Sequence, residues 1–246
     1  MEKRGNSDLP TVGLLHGAGS SHLGWPSGLR RLTDFAVLGM DLPGHGRSHP
    51  PGRRTIDDYA AVITTLLYRQ KIARAILIGH SMGGAIAQTI ALRHPQLVAG
   101  LVLIGTGAKL PVSNVILQQT LTDFRVVTDF ITKYSWSLDA PPPLVAKAHD
   151  VLLQTPPDVL HDDFVACNAF DVRDQLEKIG VPTLVVAGSI DKMTPPKFGH
   201  YLAEQIPQAE LHLVEGGGHM MMLEQAGEVT AVITKFLQQQ FTTDGH

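Results

Sequence analysis

The stretch AILIGHSMGGAIAQTIAL, residues 75–92, decides how the rest of the chain is interpreted. An apolar run leads into the glycine-rich segment GHSMGG, and a pattern of small residues typical of a helix follows. The sequence therefore predicts a strand, a sharp turn and a helix, with Ser81 at the turn. A serine at this place is either a nucleophile presented at a strand-to-helix turn or an N-cap residue of the helix. The stretch by itself leaves both interpretations open.

Five further apolar runs have the same form, each bounded by turn residues. Runs of this kind are typical of strands that are buried on both faces of a parallel sheet. Helical patterns lie between most of them, which indicates right-handed crossovers with helices on both faces of the sheet. The predicted fold class is therefore α/β, with a mostly parallel central sheet of about six strands flanked by helices. The five further runs are residues 11–17, 36–48, 99–107, 181–191 and 209–219.

One region interrupts the alternation of strands and helices. Between residues 106 and 175 no strand pattern is recognised, and three helix-like segments occur instead. We therefore predict an α/β core formed by residues 1–105 and 176–246, and a helical insertion formed by residues 106–175. The three helix-like segments are residues 114–136, 143–154 and 157–170.

The composition argues against several classes of partner. With 20 Lys and Arg against 23 Asp and Glu, the formal net charge is −3, which offers no basic surface for nucleic acid or anionic membranes. No apolar run approaches the ~18 residues of a membrane-spanning helix, and no apolar segment typical of a signal peptide is recognised. Cys167 is the only cysteine, so no internal disulfide can form. This fits a reducing compartment, and we expect a cytoplasmic protein.

The spacing of the histidines does not favour a metal site. His45 and His49 are four residues apart, a spacing that can bind a metal ion on a helix. Gly46 and the Pro50-Pro51 pair favour a loop at this place instead. No HExxH pattern occurs either. We therefore expect neither a metal ion nor another cofactor.

Two residues that could activate Ser81 follow later strands in the required chain order. A serine nucleophile needs a base, and the base needs a carboxylate that orients it. Asp191 comes directly after the fifth predicted strand, in GSIDKMTPP, and His219 follows the sixth, in EGGGHMM. Both lie beyond the carboxyl ends of parallel strands, where open α/β sheets place their sites. This context favours the nucleophile interpretation of Ser81.

Four motifs together resemble the α/β-hydrolase superfamily, in its cap-bearing form, over nearly the whole chain: LLHGAGSS, DLPGHGRS, GHSMGG, and the pair GSIDKMTPP and EGGGHMMMLEQ. The resemblance implies Ser81 as nucleophile, His219 as general base and then general acid, and Asp191 as the partner that orients it. It also implies that the insertion is a small helical cap over the substrate pocket. An oxyanion hole would be formed by the backbone N–H groups of Ala18 and Met82.

The chain departs from the family pattern at its N-terminus, and several residues are candidates for lining the substrate pocket. Its aromatic candidates, Phe124, Phe130 and Trp136, either form the roof of the pocket or pack within the cap. Family members usually carry two antiparallel strands before the LLHG strand, whereas only about ten residues precede it here. The N-terminal hairpin is therefore expected to be missing or stunted, and the exposed edge strand leaves a monomer or a homodimer open. The candidate pocket residues are Gly17, Phe124, Phe130, Trp136, Ile190 and Met220.

A serine nucleophile favours acyl-enzyme chemistry and disfavours relatives that use aspartate, such as haloalkane dehalogenases and epoxide hydrolases. The leading hypothesis is a carboxylic ester hydrolase that acts on small or medium acyl esters, with lactones as a close variant. Its expected partner is a small-molecule ester or lactone. A carbon–carbon bond hydrolase and an enol-lactonase use the same fold, and both stay open. Outside the enzymes, the alternative is a ligand-binding receptor with a retained triad.

Overall fold

A computed structural model describes residues 10–242 of the chain. Its sheet consists of β1 (Thr11–Leu15), β2 (Val37–Met40), β3 (Ala75–His80), β4 (Val98–Ile104), β5 (Thr183–Gly188) and β6 (Ala209–Val214). The strand order is β2-β1-β3-β4-β5-β6, and every neighbouring pair is parallel. The predicted α/β class with six parallel strands is confirmed. The expectation about an N-terminal hairpin concerns residues 1–9, which lie outside the described residues.

The central strands are apolar because both of their faces are covered. Every residue of β3, β4 and β5 is buried, whereas the edge strands β2 and β6 are only partly buried. Successive side chains point to opposite faces, so Ile76 and Ile78 contact one apolar core while Leu77 contacts the other. Because both faces of these strands are buried, their sequences are continuous apolar runs.

Ten α-helices connect or cover the strands in the part of the chain that the structure describes. They are α1 (Ser27–Arg30), α2 (Ile56–Arg69), α3 (Met82–Arg93), α4 (Asn114–Gln119), α5 (Phe124–Ser135), α6 (Pro142–Gln154), α7 (Pro157–Ala169), α8 (Pro196–Gln205), α9 (Met221–Glu224) and α10 (Ala226–Phe241). Helices α2, α3 and α8 cover one face of the sheet, and α1, α9 and α10 cover the other. All six strands run in one direction, so the loops after their carboxyl ends lie along one edge.

Local signals in the sequence set several helix boundaries. Thr55 caps α2, because its Oγ1 accepts a hydrogen bond from the N–H of Asp58 at 3.0 Å. Helix α3 ends two residues before Pro95, which cannot continue a helix. Helix α7 begins at Pro157, where a missing N–H costs least because it would have no partner within the helix.

Helices α4 to α7 lie between β4 and β5. The predicted segment 114–136 is two helices rather than one, since the stretch TLTD at residues 120–123 separates α4 from α5. Helix α7 packs in two directions: Leu160 and Phe164 join the apolar cluster of the inserted helices, while Cys167 joins the main core. The cluster of the inserted helices consists of Ile116, Val127, Leu152, Leu160 and Phe164.

Candidate active site

Ser81 lies in the turn between β3 and α3. Its φ of +53° and ψ of −117° are unfavourable for a residue with a side chain. Main-chain hydrogen bonds hold this conformation: the N–H of Ser81 donates to the carbonyl of Ile104 at 2.9 Å, and Thr106 Oγ1 donates to the Ser81 carbonyl at 2.8 Å. The Ser81 side chain makes no capping hydrogen bond to α3. Ser81 therefore occupies the N-cap position of α3 without capping the helix through its hydroxyl.

Two glycines of GHSMGG are required by close contacts with the main chain. A Cβ atom at Gly79 would overlap the carbonyl oxygen of Gly83. A Cβ atom at Gly83 would overlap the carbonyl oxygen of Leu15 in β1. Because main-chain atoms cannot turn away as side-chain atoms can, α3 approaches the sheet this closely only with a hydrogen at both positions.

Asp191 and His219 form a buried hydrogen-bonded pair beyond β5 and β6. His219 Nδ1 lies 2.9 Å from Asp191 Oδ2, and Thr194 Oγ1 donates to the same oxygen at 2.8 Å. The other oxygen, Oδ1, accepts from the N–H groups of Met193 at 2.8 Å and Thr194 at 2.9 Å. Burial by itself raises the pKa of Asp191, but His219 and the Thr194 donors outweigh it and hold the pKa below its ordinary value. The carboxylate is therefore ionised and accepts from a protonated Nδ1.

The imidazole of His219 is left with Nε2 as its proton acceptor. A neutral ring carries one N–H, and the pairing with Asp191 places it on Nδ1. The main chain of His219 is also held, since His80 Nε2 donates to its carbonyl at 3.0 Å. Burial, with a smaller effect of His219, lowers the pKa of His80 to about 3, so His80 is neutral at pH 7. The two rings lie 4.7 Å apart between centroids.

The loop after β1 presents the backbone of Ala18 near Ser81. His16 Nε2 accepts from the N–H of Leu42 at 3.0 Å, so its Nδ1 carries the hydrogen and donates to the carbonyl of Gly17 at 2.8 Å. Burial lowers the pKa of His16 to about 4, which keeps this ring neutral. Because the C=O and N–H of a trans peptide point in opposite directions, the N–H of Ala18 points away from His16.

Both candidate oxyanion donors can be assigned to the main chain around Ser81. A Cβ atom at Gly17 would lie 3.2 Å from Ser81 Cβ, which shows how closely the loop approaches the serine. Met82 is the first residue of α3, so its N–H has no partner within the helix. The candidate donors are therefore Ala18 N–H, from the loop after β1, and Met82 N–H, from the first residue of α3.

A cavity of about 1030 Å³ extends from Ser81 and His219 to the inserted helices. Gly17, Trp136 and Met220 line it, as does Ala18. The remaining walls come mainly from α5, α6, the α6–α7 connection, Phe164 of α7, and the loops after β1 and β2. Much of this lining is apolar, as in sites for small organic ligands.

Three of the predicted pocket residues lie outside this cavity. Phe124 packs into the apolar cluster of the inserted helices. Phe130 is 40% exposed and stacks on Tyr134 with 4.5 Å between ring centroids. Ile190 is 45% exposed and turns outward after β5. These predictions were wrong because an apolar residue in a helix or turn does not reveal which neighbour it faces.

Two supporting residues, Thr194 and His80, were not identified from the sequence. Thr194 binds the Asp191 carboxylate through both its N–H and its hydroxyl. The spacing Asp-x-x-Thr in DKMT is typical of local side-chain-to-backbone turns and could have identified it. The contact of His80 with the His219 carbonyl joins residues 139 positions apart, and no local pattern indicates it.

Metal-binding groups and membrane-spanning helices were sought in the chain between residues 10 and 242. Within this part of the chain, no group of three or more His, Cys, Asp or Glu side chains could hold a metal ion. His45, considered above for its spacing to His49, faces Asp163 instead. None of the helices in the same range combines the length and apolar character needed to cross a membrane.

Known proteins resemble the chain over almost its full length. RutD of Pseudomonas savastanoi pv. phaseolicola, provisionally named a carbamate hydrolase, is 30% identical over 249 residues, with 96% of each chain covered. The pimeloyl-(acyl-carrier protein) methyl ester esterase of Yersinia enterocolitica is 28% identical, with 97% of this chain and 96% of the esterase covered. The crystal structure of the enol-lactonase of Burkholderia xenovorans has a TM-score of 0.90 at 27% identity, with 96% of this chain and 95% of the lactonase covered.

The family itself follows from a match to a family model. The model described as the alpha/beta hydrolase family matches residues 14–232, which include Ser81, Asp191 and His219. The parallel sheet and the strand-to-helix turn at Ser81 agree with this match. The chain belongs to the alpha/beta hydrolase family.

Proposed function

We propose that this protein is a serine hydrolase that cleaves carboxylic esters of small to medium acyl groups, and lactones, through an acyl-enzyme intermediate. One observation carries the proposal. The ring of His219, oriented by the buried carboxylate of Asp191, lines the same cavity as Ser81 and the Ala18 loop. A nucleophile, an oriented base and two backbone donors thus meet at one end of a ligand-sized cavity.

The proposed reaction assigns one task to each group. Ser81 Oγ attacks the ester carbonyl carbon while His219 Nε2 takes the hydroxyl proton. The negative oxygen of the tetrahedral intermediate accepts from the N–H groups of Ala18 and Met82. The intermediate then expels the alcohol, which receives the proton from His219, and the acyl group remains on Ser81. Water, deprotonated by His219, releases the acid by the same two steps.

The named relatives support this chemistry, because each is named for cleavage at an acyl carbon that carries an oxygen or nitrogen leaving group. They are a methyl ester esterase, a carbamate hydrolase and an enol-lactonase. Opening a lactone needs the same steps as cleaving an ester, except that the alcohol stays tethered to the acyl group. A carbon–carbon bond hydrolase is an alternative on the same fold, and a ligand-binding receptor is the alternative that the experiment below distinguishes.

We propose that residues 106–175 act as the cap of this site, over a core of residues 1–105 and 176–246. Helices α5 and α6 contribute a wall of the cavity opposite Ser81, and Trp136 follows directly after α5. A volume of about 1030 Å³ accommodates a medium acyl chain together with its alcohol. The location and assembly stay predictions from the sequence: a cytoplasmic protein, because Cys167 is its only cysteine, and a monomer or a homodimer.

Replacement of the nucleophile tests the proposal. Ser81→Ala is expected to lower kcat for p-nitrophenyl butyrate and for a panel of lactones by about 10⁴-fold or more, since no covalent intermediate can form. A fluorophosphonate probe should label wild type at Ser81, as located by peptide mass spectrometry. Ser137→Ala, a change outside the cavity, is the matched control and should keep full activity. Undiminished hydrolysis by Ser81→Ala would exclude the mechanism, and a thermal shift by esters without turnover would favour a receptor.

A further inference from the structure

A fully buried carboxylate of the inserted helices binds three separate segments of the core. Asp163, on α7, has no exposed surface. Its Oδ2 accepts from the N–H of Gly19 at 3.1 Å and lies 2.8 Å from His45 Nε2. Its Oδ1 accepts from the hydroxyl of Tyr59 at 2.5 Å. The three partners are each more than a hundred residues away in the sequence.

The geometry around His45 indicates a buried ion pair. His45 Nε2 faces the Asp163 carboxylate, and Nδ1 lies 3.0 Å from the carbonyl oxygen of Pro43. A carboxylate and a carbonyl oxygen both accept hydrogen bonds, so this environment favours hydrogen on both ring nitrogens, which is the imidazolium form. Burial alone lowers the pKa of His45, but the charge of Asp163 outweighs it and raises the pKa. Both side chains are completely buried.

A buried ion pair is poor evidence for stability, because the cost of removing two charges from water offsets much of their attraction. The position of this pair points to another use. Asp163 holds the N–H of Gly19, the residue next to Ala18, and Thr155 Oγ1 donates to the Gly19 carbonyl at 3.2 Å. Both peptide groups of Gly19 are therefore held by residues of the insertion.

The other end of the Ala18 segment is held through His45. The rings of His45 and His16 meet edge to face with 5.0 Å between centroids. His16 in turn donates to the carbonyl of Gly17, which fixes the direction of the Ala18 N–H. Asp163 thus acts on both sides of the peptide between Gly17 and Ala18.

We propose that Asp163 is a positioning residue for ester hydrolysis, which together with His45 orients the Ala18 N–H towards the oxyanion before substrate binds. This inference rests on the proposed function, because Ala18 is an oxyanion donor only if Ser81 attacks a carbonyl. The inserted helices then take part in the chemical step as well as in binding substrate. Asp163 itself touches no reacting atom.

The test is Asp163→Asn, which keeps the shape of the side chain and removes its charge. The loop is expected to lose its fixed orientation, so kcat for p-nitrophenyl butyrate should fall about 10- to 100-fold, less than the ~10²–10³-fold for a lost donor. KM should change by less than about threefold, because the donor acts mainly in the transition state. The inhibition constant of a trifluoromethyl ketone, whose adduct with Ser81 carries an oxyanion, should weaken in parallel with kcat/KM.

Tyr59→Phe is the matched control, since it removes the third donor to Asp163 without touching Gly19 or His45. It should lower Tm and leave kcat and ketone inhibition near wild type. Unchanged kcat and ketone inhibition in Asp163→Asn would overturn the proposal, as would an equal fall of kcat in Tyr59→Phe.

If Asp163→Asn does not fold, Thr155→Val decides the question. This change removes the donor to the Gly19 carbonyl and introduces no unpaired charge. It should lower kcat and weaken ketone inhibition together, and no effect on either would overturn the proposal. Ser81→Ala distinguishes a failure of the proposed function from a failure of the positioning role. Activity retained in Ser81→Ala would contradict the proposed function. Activity lost in Ser81→Ala but kept in Asp163→Asn would contradict only the positioning role of Asp163.

Discussion

At the scale of single residues, the turn around Ser81 depends more on the absence of Cβ atoms at two glycines than on attractive contacts. The glycines at 79 and 83 leave room for main-chain carbonyls. The strained dihedral angles of Ser81 are held by a hydrogen bond from its N–H to the Ile104 carbonyl and by one from Thr106 Oγ1 to its own carbonyl. Attractive contacts dominate one step further out, where Asp191 uses both of its oxygens to hold His219 and its own loop.

A single methyl group in the turn should therefore have a large effect. In Gly83→Ala the new Cβ meets the Leu15 carbonyl of β1, and the N-terminus of α3 must move away from the sheet. We expect the free energy of unfolding in urea to fall by about 3 kcal/mol and the activity that depends on Ser81 to be lost. Gly180→Ala is the control, because nothing lies within 4 Å of the new atom. Equal stability of the two variants would contradict this account.

At the scale of elements, α7 joins the insertion to the core. Its residues Leu160 and Phe164 pack among the inserted helices, while Ala166 and Cys167 pack beneath them in the main core. Its carboxylate Asp163 reaches α2 and the loops after β1 and β2. The insertion is therefore expected to unfold together with the core rather than as a separate unit.

The two tryptophans allow this to be measured. Trp25 is buried in the core on the α1 side of the sheet, and Trp136 follows α5 in the insertion. Trp25→Phe leaves Trp136 as the tryptophan fluorophore, and Trp136→Phe leaves Trp25. Circular dichroism of each variant gives its overall transition. The insertion and core signals should coincide with the circular dichroism transition of the same variant in urea. A transition of Trp136 at clearly lower urea than that of the secondary structure would show that the insertion opens independently.

The elements also show what the sequence can and cannot predict. Ser81, Asp191 and His219 were placed by their order after apolar runs, because parallel strands bring the loops after their carboxyl ends to one edge. The sequence pattern does not show which neighbour a helix residue contacts. Phe124 and Phe130 were therefore assigned to the cavity, which they do not line. Asp163 resembles an ordinary acidic residue in LHDDFV, and its burial depends on donors that approach from distant segments.

At the scale of the whole molecule, buried histidines couple stability to pH. His16 and His80 are neutral in the folded protein, with pKa values of about 4 and about 3. The unfolded chain takes up protons at these residues below pH ~6.5, so acid favours unfolding. His45 acts in the opposite sense: its raised pKa contributes stability that is complete below pH ~6.5 and is lost as the pH rises through the folded value.

The free energy of unfolding is therefore expected to fall between pH 7 and pH 5, by about 2 kcal/mol for each of the two neutral histidines. Urea titrations at several pH values measure this slope. His80→Gln keeps an N–H that can reach the His219 carbonyl, and it should reduce the slope between pH 6 and pH 5 by about 1 kcal/mol per pH unit. An unchanged slope in this variant would show that His80 does not remain neutral in the folded state.

The double packing of α7 has a consequence for redesigning the protein. Helices α5 and α6 supply much of the cavity wall, whereas the residues that hold the Ala18 loop come later, at Thr155 and Asp163. Under the proposed function, we expect substrate range and catalytic rate to depend on adjacent but separable stretches of the insertion. Exchanging residues 124–154 for those of a relative should transfer the acyl preference of that relative, provided that residues 155–169 of this protein are retained.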